Sequence, residues 1–137
     1  MIVATSVGAL VGAIYASERD SFQLEWLAYQ VTKEDIFDFS ILYSKLGPVQ
    51  GEKLEEFLKT KLKVKKLEDL ELPLYPVATD LMTGETVTLV KGSVARAVRA
   101  SSAIPGVFVP VQFAGRTLID GGVTNNLPIE IARQKGA

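Results

Sequence analysis

The sequence predicts an α/β fold in which a partly parallel sheet is flanked by helices. Three observations carry that expectation. Apolar, β-prone runs alternate along the chain with segments of helical periodicity. The first such run, Ile2-Val3-Ala4, passes almost at once into a train of small residues that reads as a helix from Val7. Hydrophobic residues make up 47% of the 137 and charged residues 23%, which suits one domain, residues 1–137, with one core and no disorder.

Each element has its own reason. Ile2 to Ala4 reads as the end of a buried strand. In the helix that follows, Gly8, Gly12 and Ala16 recur every four residues, and Ala9 and Ala13 widen that face, so the helix can lie close against a sheet. Ser21 reads as the cap of a second helix from Phe22 to Gln30, and Thr32 as the cap of a short third. Leu46-Gly47-Pro48 breaks the chain. Gly51 to Leu62 is amphipathic, with Leu54, Phe57, Leu58 and Leu62 on one side. Leu74 to Thr79 is a strand, Met82 to Glu85 a turn, and Glu85 to Val90 its hairpin partner. Ser93 opens a helix to Ser101 with Val94, Ala97, Val98 and Ser101 facing inward, and Ile104-Pro105-Gly106 stops it. Val107 to Phe113 is extended but carries Pro110, which argues against a central strand. Ala114-Gly115-Arg116 turns into a strand from Thr117 to Asp120, and Pro128 starts a last helix, Ile129 to Gln134.

Composition excludes several functions. There is no cysteine, so disulfide and thiolate chemistry are absent from this chain. There is no histidine, so a Ser-His-Asp triad and a histidine-based metal site are absent too. Fifteen basic residues against sixteen acidic give a net charge of −1, and nothing suggests a nucleic-acid partner. The basic stretch Lys59 to Lys66 sits between acidic residues and reads as a solvated helix face and turn, the alternative being a weak patch for anionic lipid headgroups. Ile2 to Ala16 is apolar but has no basic leader, and it is too short to span a membrane. Phe22, Trp26, Phe37 and Phe39 read as core or as a lid-like surface suited to lipid.

Two stretches are candidates for chemistry. In Ala4-Thr5-Ser6-Val7-Gly8, a serine stands between a strand and a helix with small residues two positions to either side. That is the pattern of a nucleophile elbow, in which a tight turn exposes the hydroxyl and the free N–H of Val7 favours an oxyanion. A serine N-cap at an ordinary helix start explains Ser6 equally well. In Asp120-Gly121-Gly122-Val123-Thr124-Asn125-Asn126, an acid ends a strand and two glycines let backbone pass close to another group. An Asx-turn is the plainer explanation. Without histidine, a serine nucleophile must take its base from another side chain, and an aspartate can serve directly. Carboxylates are weak bases towards a hydroxyl, so such a dyad depends on close approach and oxyanion stabilisation. Thr79-Asp80 and Ser101-Ser102 read as a turn cap and as helix-end polar groups, and the Asn125 and Asn126 side chains as bonds that order the Asp120 loop.

The stretches ATSVGALVGAIYA, PVATDLMTGE and RASSAIPGVFVPVQFAGRTLIDGGVTNNLPIEIAR together resemble the patatin-like phospholipases. The resemblance implies a serine acyl hydrolase of phospholipid and other lipid esters. Ser6 matches the nucleophile and Asp120 the base of a Ser-Asp dyad, with Ala4, Gly8, Gly121 and Gly122 shaping the site and no metal or other cofactor required. It further implies a cytoplasmic protein in peripheral contact with a membrane. Three departures bear on activity. Ala4 stands where the family has glycine, the glycine-rich oxyanion loop is missing before the elbow, and the family fold continues beyond the last helix. The expectation is thus a patatin-like domain cut at both ends and impaired in catalysis. The other expectation is a non-catalytic piece that self-associates through an unpaired sheet edge.

Overall fold

A computed structural model of the chain describes residues 1–30 and 51–137. Strand β1 (Ile2–Thr5) leads through one residue, Ser6, into helix α1 (Val7–Glu18), and α2 (Ser21–Gln30) follows. Helix α3 (Glu52–Lys61) and a 3-10 turn at Leu67–Asp69 precede strand β2 (Leu74–Asp80), whose hairpin partner is β3 (Thr86–Thr88). Then come α4 (Val94–Ser101), β4 (Val111–Phe113), β5 (Arg116–Asp120), a second 3-10 turn at Gly121–Val123 and α5 (Ile129–Gln134).

Among the described residues the sheet has five strands in the order β1-β2-β5-β4, with β3 paired to β2. The β1–β2 pair is parallel and runs from Ile2 opposite Leu74 to Thr5 opposite Val77. The other three pairs are antiparallel. The sheet is therefore partly parallel, as expected. It is mixed because β3 and β5 run against β2 while β1 runs with it. Short turns close the β2–β3 and β4–β5 pairs, and helices lie in the connections from β1 to β2 and from β3 to β4. Pro110 lies just before β4, which is an edge strand. Ala114 and Gly115 adopt φ of 49° and 77° in the two-residue β4–β5 turn, the twist that tight hairpins favour.

Helix α1 packs on β1 and β2 because its inner face is nearly bare. Ala9, Gly12, Ala13 and Ala16 are buried. A Cβ added at Gly12 would lie 3.0 Å from Ile2 Cγ2 and 3.1 Å from Leu74 Cδ1, so glycine sets how near the helix sits. Gly8 was expected on this face and is exposed. Steps of four residues drift around the helix by about 40° each, and the 9-12-13-16 set follows the true period better. The core continues through Leu54, Leu58 and Leu62 of the α3 region and Val94, Ala97 and Val98 of α4, against Leu74 and Leu118 of the sheet. Phe57 is half-buried at its margin.

Several local expectations are corrected. Helix α2 is capped by Asp20, whose Oδ1 accepts from the amides of Phe22 (2.8 Å) and Gln23 (3.3 Å), so Ser21 is the first helical residue and not the cap. Phe22 and Trp26 are 81% and 63% exposed, so neither is core. Ser93 caps α4 as expected, accepting from the Arg96 amide at 3.3 Å. The lysines from Lys59 to Lys66 are exposed, with Lys59 paired to Glu55 at 2.7 Å and Lys63 to Glu18 at 3.2 Å. No helix among the described residues is long and apolar enough to cross a membrane. Thr32, Phe37, Phe39 and the Leu46-Gly47-Pro48 break lie outside the described residues.

Candidate active site

The site forms where β1 ends, β5 ends and α4 stops. Ser6 has φ 54° and ψ −124°, a strained conformation for a residue with a side chain. It occupies the N-cap position of α1, yet its hydroxyl makes no cap bond. Instead Ser6 Oγ donates to Asp120 Oδ2 at 2.7 Å, across 114 residues of sequence. The plain N-cap explanation of Ser6 therefore fails: the turn spends strain and a lost cap to aim the hydroxyl at a carboxylate. Ala4 is accommodated in the same turn. A Cβ placed on Gly8 would meet the Ala4 methyl at 3.6 Å, an ordinary contact, so the Ala4 methyl does not crowd the turn from that side.

Asp120 is 6% exposed and held from several sides. Its Oδ1 accepts from the Gly122 amide at 2.6 Å, which leaves Oδ2 facing Ser6. Its own amide donates to the Ala103 carbonyl at 2.9 Å, and its carbonyl accepts from the Thr79 hydroxyl at 3.0 Å. The Asx-turn predicted here exists, but one carboxylate oxygen serves the turn and the other serves Ser6. Gly121 explains the first glycine of the motif, since an added Cβ would stand 2.2 Å from the Val77 carbonyl oxygen. At Gly122 an added Cβ would lie 2.9 Å from Asp120 Oδ1, a side-chain atom.

The loop after Asp120 is fixed through backbone, not through the asparagine side chains as expected. The Asn125 amide donates to the Gly121 carbonyl at 2.8 Å, and the Thr5 hydroxyl donates to the Asn125 carbonyl at 2.9 Å. The Thr124 hydroxyl lies 2.9 Å from those of both Thr79 and Thr86. Asp80 is a turn cap: its Oδ1 accepts from the Met82 amide at 2.9 Å and its Oδ2 from Arg116 at 2.9 Å. Chiefly the Met82 amide holds its carboxyl below the usual aspartate range, against a burial effect that raises it.

Next to Ser6 opens a cleft of about 100 Å³ lined by Val7, Leu10, Leu54, Ser102, Ile104 and Phe108. Val7 is 70% exposed at the start of α1, where first-turn amides have no intrahelical acceptor. Among the described residues no group of three or more carboxylates is arranged to hold a metal ion. One participant was missed by sequence reasoning. Ser101, read there as a helix-end polar group, is completely buried, and its hydroxyl touches the Ser6 amide. The available signal was a hydroxyl on the apolar face of α4.

Comparison with known proteins places the chain in a family. The patatin-like phospholipase family model matches residues 1–133. The chain belongs to the patatin-like phospholipase family. An NTE family protein of Mycobacterium tuberculosis is 37% identical over 131 residues, 93% of this chain and 36% of that protein. The human patatin-like phospholipase domain-containing protein 6 is 32% identical over 145 residues, which cover all of this chain and 10% of the relative. The chain thus spans about a third or less of these curated relatives. Among solved structures, VipD from Legionella pneumophila aligns with 80% of this chain and 21% of its own, at 24% identity and a TM-score of 0.37. Membership of this family fits the α/β sheet-and-helix architecture described above.

Proposed function

We propose that this patatin-like chain carries the nucleophile and base of a serine acyl hydrolase acting on lipid or phospholipid esters. The observation that carries the reading is the 2.7 Å contact between Ser6 Oγ and Asp120 Oδ2, made by a strained serine and a buried carboxylate. Asp120 takes the hydroxyl proton as Ser6 Oγ attacks the ester carbonyl. The tetrahedral oxyanion lies by the Val7 N–H at the start of α1. Collapse expels the alcohol, which leaves with the proton from Asp120, and an acyl-Ser6 ester remains. Water, deprotonated by Asp120, then releases the fatty acid and restores the serine. The apolar cleft of Leu10, Leu54, Ile104 and Phe108 gives the first part of the acyl chain a dry wall. The reaction is placed by this reading in the cytoplasm, at peripheral contact with the lipid surface that supplies the ester.

Rate is a separate matter from competence. Val7 N–H is the oxyanion donor that this helix start offers, and each further donor is worth about 10²–10³ in rate. Turnover of the 137-residue chain alone is therefore expected to be low. A fluorophosphonate probe needs the activated serine but not multiple turnover, so it tests the dyad directly. Mass spectrometry should find the adduct on Ser6 and none in Ser6→Ala. A folded wild-type chain that takes up no probe would sink the hydrolase reading.

A second reading has its own observation. Among the described strands β1 pairs with β2 alone and is half-buried, so its other edge is open to a partner strand. In that reading the chain is a non-catalytic piece that is completed by self-association or by another chain.

A further inference from the structure

We propose that Ser101 is a positioning residue whose buried hydroxyl anchors the backbone of Ser6 to strand β2, at the peptide carbonyl that also seats the Asp120 loop. The inference rests on the dyad reading above and goes beyond it. Ser101 Oγ lies 2.6 Å from the Val77 carbonyl oxygen and 2.9 Å from the Ser6 amide nitrogen. A carbonyl oxygen only accepts, so the hydroxyl proton is committed to Val77, and a lone pair is left to receive the Ser6 N–H. The direction of both bonds is thereby fixed.

Ser6 needs such a partner for a structural reason. The β1–β2 ladder ends at Thr5 opposite Val77, and the φ of 54° at the next residue turns Ser6 away from the sheet. Its amide is left without a ladder acceptor at a half-buried position, and Ser101 supplies one. Serines in helices more often bond back to the carbonyl of the preceding turn. Ser101 instead reaches across 24 residues to Val77 and 95 to Ser6.

The Val77 carbonyl has a second neighbour. Gly121 passes so near that an added Cβ would stand 2.2 Å from the same oxygen. Two residues beyond Ser101, the Ala103 carbonyl accepts the Asp120 amide at 2.9 Å. The end of α4 therefore grips the backbone amides of both dyad residues, Ser6 through a hydroxyl and Asp120 through a carbonyl. The short Ser6–Asp120 distance is set by this shared frame, and Ser101 is the one part of it that a side-chain substitution can remove.

The test compares Ser101→Ala and Ser101→Cys with the wild-type 137-residue chain by two readouts. Amide hydrogen exchange followed by NMR reports the anchor itself. In Ser101→Ala, Ser6 should exchange roughly tenfold faster, the worth of one ordinary hydrogen bond, while the amides of β2 keep their protection. The rate of fluorophosphonate labelling, measured well below the melting temperature of each variant, reports the consequence and should fall roughly tenfold in Ser101→Ala, with partial recovery in Ser101→Cys. Should Ser101→Ala not fold, Ser101→Cys carries the test with smaller shifts of the same sign. Unchanged Ser6 exchange in a folded variant overturns the anchor, and faster exchange with undiminished labelling overturns its positioning role. A wild-type chain silent to the probe counts against the hydrolase reading instead, and the exchange measurement alone then decides the anchor.

Discussion

Asp120 shows how one side chain can do two jobs that a single substitution separates. Its Oδ1 holds the Gly122 amide and its Oδ2 holds the Ser6 hydroxyl. In Asp120→Asn the amide oxygen can still accept from Gly122, so the loop keeps its shape, but the carboxylate that the proposed mechanism uses as proton acceptor is gone. Probe labelling should fall by about 10² or more, as for loss of a general base, with little change in melting temperature. A labelling rate within a few-fold of wild type would remove Asp120 from the mechanism. Gly121→Ala should do the reverse, because its methyl group meets the backbone of Val77 and nothing there can yield by rotating. A cost of about 1–3 kcal/mol is expected in chemical denaturation. Gly122→Ala should cost less stability, since the contacts it crowds belong to the Asp120 and Asn126 side chains. Ser6 and Asp120 were both legible in the sequence, because small residues around a serine and glycines after an acid are local consequences of tight backbone. Ser101 was not legible as an anchor. Its role depends on which strand lies above it, and residue spacing carries no record of that.

At the scale of elements, the segments read best were those whose signal is periodic. Helix α3 and helix α4 buried the faces their spacing predicted, and Pro110 kept β4 to the sheet edge. The cap of α2 was misread by one residue because Asp20 and Ser21 are both good caps, and only the completed backbone chooses between them. What joins α3 to α4 was not foreseen. Glu55 is nearly buried between Arg99 at 2.9 Å and Lys59 at 2.7 Å. Burial acts to raise its carboxyl, and the hydrogen bonds from Lys59 and Arg99 outweigh that and hold it below the ordinary glutamate value. A lowered folded-state value stabilises the fold above the unfolded glutamate range, and the benefit is lost as pH falls through that range to the lowered value. Melting temperatures of wild type and Glu55→Gln should therefore differ at neutral pH, wild type being higher, and converge in acid. Parallel curves across that range would mean that the Glu55 charge contributes nothing.

For the whole molecule, an α/β class was readable but the strand order was not. Alternating strands and helices suggested parallel pairing, whereas β5 pairs antiparallel with β2 from Ala78 opposite Asp120 to Asp80 opposite Leu118. That pairing joins segments some forty residues apart in sequence and is decided by burial of both faces of β2, a property of the assembled sheet. The same order leaves β1 at one margin. Ile2 is turned towards α1, where its side chain crowds Gly12, so Val3 faces the opposite side by strand alternation. Among the described residues no strand pairs with the outer edge of β1, and that edge carries no charged side chain between Ile2 and Thr5, charge being the usual guard against edge-to-edge pairing. The 137-residue chain should accordingly self-associate in light scattering, with a mean mass that climbs with concentration. Val3→Lys places a charge on that edge and should shift the distribution towards monomer, while Ser6 labelling per folded chain stays unchanged. If the wild-type chain holds the monomer mass over a hundredfold rise to about millimolar concentration, edge pairing is too weak to complete the sheet, and the reading of this chain as half of an assembly falls with it.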